Sequence, residues 1–204
     1  MTSGNVEKKL RRLTTPRAAA EAGIVFSLLF STSLVLLRIG IPEDPAAGMD
    51  WTEAGASQIT LALKLMPFAG IAFIWFIGVM RDRMGEYEDR FFSAVFYGSG
   101  LLFLGMVFVS TAIAGGILAT ARFIEDATLQ SQALYFGRAV MFQISNIYAL
   151  RMAGVFMISL GTIWWRTGLM PRWLALITYL LAVTLLLSSA AACGSRWSFP
   201  LGSR

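Results

Sequence analysis

Four cations stand where a charge is costly. Arg38, Lys64, Arg138 and Arg151 fall inside or beside long apolar stretches, and placing such a group in hydrocarbon costs about 2.5–3.5 kcal/mol on insertion scales. Arginine offers a planar fork and lysine a point charge, so together they could hold an anion or a lipid phosphate in a cavity between the second and fourth helices, which Pro67 would help open. The plainer account is that they snorkel to the headgroups or pair with Glu43, Asp44, Asp50, Glu53, Glu125 or Asp126.

The remaining polar residues suggest less chemistry. Glu21 lies four residues after Arg17, so an i,i+4 pair explains it, and no second intramembrane acid is present to share a proton or ion site. Ser27, Ser31, Thr32, Ser33, Ser110 and Thr111 could line a polar path, but hydroxyls in membrane helices more often bond to a preceding carbonyl or across helices. Asp82, Glu86, Glu88 and Asp89 alternate with Arg81, Arg83 and Arg90 and lack the calcium-loop pattern, which reads as a solvated loop rather than a metal site.

The chain has no histidine, and its single cysteine is Cys193. This removes histidine-ligated haem, the common catalytic zinc sites, Ser-His-Asp triads, multi-cysteine clusters and any intramolecular disulfide. No phosphate-binding glycine loop, dinucleotide fingerprint or nucleophile elbow is present. The expectation is therefore no enzyme, no cofactor, no metal and no catalytic residue.

The elements that must position the four cations follow from composition and pattern. A chain of 204 residues that is 56% hydrophobic and 14% charged cannot hide its apolar surface in one small soluble core. The apolar residues come in blocks close to the roughly 20 residues that cross a hydrocarbon core. The expected fold is all-α: a polytopic transmembrane helical bundle of about five spans, near residues 18–37, 59–80, 92–119, 146–166 and 173–192. A basic tail, residues 1–17, precedes this single membrane domain, and a short external tail, 193–204, follows it.

The first span lacks a small-residue cleavage site and reads as an uncleaved anchor. Residues 129–166 are the hardest stretch. As one helix they would be roughly 57 Å long, so the first third is expected to project outside or lie in the interface. In the third span, Gly98, Gly100, Gly105, Ala112, Gly115 and Gly116 would allow close helix contact.

Charge sets the orientation. Ten basic residues (Lys8, Lys9, Arg11, Arg12, Arg17, Arg81, Arg83, Arg90, Arg166 and Arg172) fall on one side of this topology, against Arg38, Arg122, Arg196 and Arg204 on the other. The positive-inside rule then predicts N-in/C-out. The net charge of +5 is spread between apolar blocks rather than gathered into a patch, so membrane topology accounts for it and no nucleic-acid partner is expected.

The block PFAGIAFIWFIGVMRDRMGEYEDRFF, residues 67–92, resembles segments of small uncharacterised bacterial polytopic integral membrane proteins. The likeness extends loosely into the third span and covers about a third of the chain. It implies a bacterial inner-membrane location and carries over no activity and no site residue.

Three functions compete. The first is a non-enzymatic accessory or helix-packing component in the lipid bilayer, binding an anionic lipid at an outward-facing cluster of Lys64, Arg151, Arg138 and Arg38. The second is a small, oligomeric channel or carrier for an anionic solute, which needs Lys64 and Arg151 to face water. The weakest is an enzyme acting on lipid. Assembly as a homo-oligomer or within a larger membrane complex fits either of the first two.

Overall fold

Where no water can reach the backbone, each N–H and C=O must be satisfied within its own segment, and apolar blocks of this length do so as helices. The computed structural model describes the backbone of residues 3–41, 51–84, 90–123, 126–168 and 171–197. It describes their side chains apart from 3–19, 51–54, 82–84, 90, 122, 127, 167 and 191–197. Among the described residues the chain is all-helical, without strands.

The elements are α1 (Ser3–Gly40), α2 (Trp51–Met84), α3 (Arg90–Phe123), α4 (Ala127–Gln143), a π-helical turn (Ile144–Ala149), α5 (Leu150–Thr167) and α6 (Arg172–Trp197). Five segments are long and apolar enough to span a membrane: Ala20–Gly40, Gly55–Arg81, Phe91–Ala121, Thr128–Arg166 and Arg172–Ala190. The fourth runs without a break through α4, the π turn and α5.

The helix ends follow local chemistry. Asp126 caps α4, its Oδ1 accepting the N–H of Thr128 at 2.8 Å and of Leu129 at 3.3 Å, which satisfies donors the first turn leaves open. Gln130 Nε2 donates to the Ala121 carbonyl at 2.7 Å and ties the start of α4 to the end of α3. Gly168, at φ 63°, closes α5 with its N–H on the Trp164 carbonyl at 3.1 Å, a left-handed cap that suits glycine. Pro67 stays inside α2, although its missing N–H leaves the Leu63 carbonyl without its usual helical donor.

The chain divides into two compact units, residues 1–86 with 114–135, and residues 87–113 with 136–204. In the first unit α1 and α2 pack as an antiparallel pair. Buried Ile59, Ala62, Met66, Ala69, Phe73, Ile77 and Met80 recur every three or four residues along α2, the spacing that keeps one helical face inward. Aromatic rings fill this contact: Phe26 lies 4.6 Å from Phe73 and 5.1 Å from Phe30.

The second unit is organised by α5 on α6. Gly154 and Gly161 admit the opposing helix: an added Cβ would lie 2.8 Å from Leu186 Cγ at the first position and 3.4 Å from the Tyr179 ring at the second. Ala175, Thr178, Ala182 and Ser189 of α6 are buried, so small residues supply the close approach that lipid alone does not drive. Thr162 Oγ1 and the Tyr179 hydroxyl share a 2.7 Å hydrogen bond. Buried Phe96 stacks on Phe156 at 4.7 Å, and the Arg166 guanidinium lies 4.9 Å from the centre of the Phe92 ring. That cation–π contact puts the start of α3 and the end of α5 at one level.

The third span differs from expectation. Gly98, Gly105 and Gly116 have open space where a Cβ would stand, whereas an added Cβ on Gly115 would lie 3.2 Å from Leu63 Cδ2. Closer approaches occur in the α1–α2 and α5–α6 pairs, at Gly40, Gly55 and Gly154, because a glycine matters only on the face that meets a neighbour.

Candidate functional site

Three facing pairs set the register of α1 on α2: Gly40 with Ile59, Phe26 with Phe73 and Gly23 with Phe76. In each pair the residue numbers add to the same total. This places Lys64 level with Val35, and Arg38 level with Leu61, so the two cations differ in height by roughly 4.5 Å, less than one helical turn. Both are exposed.

Lys64 belongs to a stripe on α2 opposite the buried face. Leu61, Lys64, Phe68, Ile71 and Trp75 are all exposed, and Trp75 reaches 70%. Among the described residues nothing forms a hydrogen bond or ion pair with Lys64. Arg38 is already engaged with another group of the chain.

The other two expected site residues lie in the second unit. Arg138 and Arg151 are half-buried, and Arg138 has a partner within the chain. Thirteen positions of one continuous helix separate them, a rise of roughly 20 Å. That is too far for both to hold one small anion. The structure therefore brings Arg38 and Lys64 close in height and keeps Arg138 and Arg151 apart.

The acids named as partners are accounted for only in part. Asp126 is spent on the cap of α4. Glu43, Asp44, Asp50, Glu53 and Glu125, the Arg17–Glu21 pair, the loop acids Asp82, Glu86, Glu88 and Asp89, and Cys193 lie wholly or partly outside the described residues and side chains. Among the described residues no group of three acids or cysteines could hold a metal ion.

The hydroxyls mostly serve their own helices. Ser27 bonds the Ile24 carbonyl, Ser33 that of Leu29, Thr111 that of Val107 and Ser159 that of Val155, all at 2.7–3.0 Å. Such bonds satisfy the hydroxyl without an outside partner. Ser110 differs. Its Oγ shares a 2.6 Å hydrogen bond with Ser145 Oγ and donates to the Met141 carbonyl at 3.5 Å.

Comparison with protein-family models, curated proteins and solved structures finds no match. The site has to be argued from geometry.

The feature that sequence reasoning missed is the π turn. Nothing in the apolar pattern of residues 129–166 separates it from α-helix, and no proline marks it. The available signal was the adjacent pair Ser145 and Asn146 in an apolar helix. In the widened turn Ser145 meets Ser110, while Asn146 Nδ2 donates to the Phe142 carbonyl at 3.2 Å. Turns of this kind recur where a helix must present particular groups.

Proposed function

We propose that this chain is a non-enzymatic component of a bacterial inner membrane, with its N terminus in the cytosol and its C terminus outside, that holds an anionic lipid at Lys64, with Arg38 of α1 at a similar height. The observation that carries this reading is Lys64: an exposed lysine without a described partner, in an otherwise apolar outward stripe. An ammonium there reaches for phosphate by extending its stem along the helix, and a basic residue near the surface attracts anionic lipid by about 1 kcal/mol. The distribution of basic residues between the two sides supports the orientation.

An anion carrier would need a polar path through the protein. Of the hydroxyls that would line it, Ser27, Ser33 and Thr111 bond to their own helices and Ser110 to Ser145, which favours the lipid reading over transport.

Native mass spectrometry of protein released from its own membrane tests the proposal. Wild type is expected to retain an anionic phospholipid, Lys64→Gln to lose most of it, and Arg151→Gln to keep it. Bare wild-type protein, or equal lipid adducts on wild type and Lys64→Gln, would overturn the proposal.

A further inference from the structure

One face of the fourth apolar segment carries polar groups that no described residue matches. Phe136, Ala139, Gln143 and Tyr148 are all exposed, Phe136 at 73% and Tyr148 at 49%. The first three follow the three-and-four spacing of a single helical face. Tyr148 comes five residues after Gln143, and the intervening turn closes on i,i+5 hydrogen bonds, so the π turn returns Tyr148 to that face where an α-helix would carry it aside. All four lie in the second unit.

Gln143 and Tyr148 stand on either side of the midpoint of the Thr128–Arg166 segment. Among the described residues neither the Gln143 amide nor the Tyr148 hydroxyl makes a hydrogen bond. Polar groups in an apolar span are costly unless matched, and lipid tails offer neither donor nor acceptor.

The chemistry of the face selects its occupant. A primary amide both donates and accepts, so it is complementary to a copy of itself. Ala139 lets a second backbone approach, and Phe136 supplies apolar area. No charge lies on this face, whereas the α2 stripe would set Lys64 against Lys64 in a symmetric pair. We infer that two copies of this chain associate through Phe136, Ala139, Gln143 and Tyr148, with the Gln143 amides bonded to each other across a two-fold axis along the membrane normal. Identical residues then meet near that axis, as an isologous interface requires.

Cysteine cross-linking in isolated native membranes tests this. In a Cys193→Ser background, Ala139→Cys is expected to give a disulfide-linked band at twice the chain mass on mild oxidation, while Leu180→Cys, on the exposed face of α6, does not. Against the Ala139→Cys reporter, Gln143→Leu should weaken dimerisation about 3- to 30-fold, as loss of a membrane hydrogen bond predicts. Gln143→Asn should retain most of it. Absence of the Ala139→Cys dimer, cross-linking to a different protein instead, or a dimer indifferent to Gln143→Leu would each overturn the inference. Circular dichroism of the purified variants, expected to match wild type, separates lost pairing from lost folding.

Discussion

Gly40 and Gly55 meet backbone to backbone where α1 ends and α2 begins. A Cβ on Gly55 would overlap the Gly40 carbonyl, and one on Gly40 would lie 2.7 Å from Ile59 Cγ1 and 3.2 Å from the Gly55 oxygen. Neither helix can carry a side chain there without moving apart, so the two glycines hold this end of the α1–α2 pair close.

Gly55→Ala is therefore expected to destabilise the α1–α2 pair by about 1–3 kcal/mol, the usual range for overpacking. Steric trapping or thermal unfolding in a fixed detergent would measure it. An unchanged stability would mean that the two helices are not this close.

Gly105→Ala should behave in the opposite sense. The position has open space around it, and glycine inside a helix costs roughly 0.5–1 kcal/mol relative to alanine. The same unfolding measurement should show no loss, or a gain within that range.

The α5–α6 contact offers a compensating pair. Gly154→Ala would press on Leu186, whose side-chain Cγ and Cδ2 are the close atoms, at 2.8 and 2.9 Å. Because a side chain yields more readily than backbone, the expected loss is about 1 kcal/mol, at the low end for overpacking. Leu186→Ala in the same chain should relieve the clash, and a double-mutant cycle would show coupling between the two sites.

Ser110→Ala and Ser145→Ala should likewise couple. Hydrogen bonds between membrane helices average about 0.6 kcal/mol and reach about 1.7 in double-mutant cycles, so a coupling in that range is expected by unfolding in bicelles. Zero coupling would show that the 2.6 Å contact contributes nothing to joining α3 to the π turn.

Asp126→Ala removes the cap of α4 and should cost about 1 kcal/mol. Asp126→Asn should keep most of it, because the amide oxygen still accepts from Thr128 and Leu129. Amide hydrogen exchange over the first turn of α4 would report both.

Much of the architecture was legible in the residues. Blocks of apolar residues near bilayer length, separated by charged or proline-containing joints, predict an all-helical chain with five membrane-length segments, and the described residues contain five. The hydroxyls were also legible, since a Ser or Thr in an apolar helix has its own carbonyls three and four residues back as the nearest acceptors.

The site was less legible, because hydropathy reports how apolar a segment is and not which way each residue faces. Gly98 and Gly154 look alike in sequence, yet one meets open space and the other meets Leu186. Lys64 and Arg151 invite the same reading as members of one outward-facing basic cluster, but one is exposed on a stripe of α2 and the other half-buried on α5.

Composition and block length thus settle the helices and the number long and apolar enough to span a membrane, for these depend on summed transfer free energies that hardly change with the order of residues inside a block. Which glycines touch, how α1 is registered on α2, and where the fourth segment widens into a π turn depend on which surfaces meet. Those surfaces are distant in sequence: Gly40 with Gly55, Ser110 with Ser145, Gly154 with Leu186. Packing is short-ranged and shape-dependent, so it comes into being only once the helices are side by side.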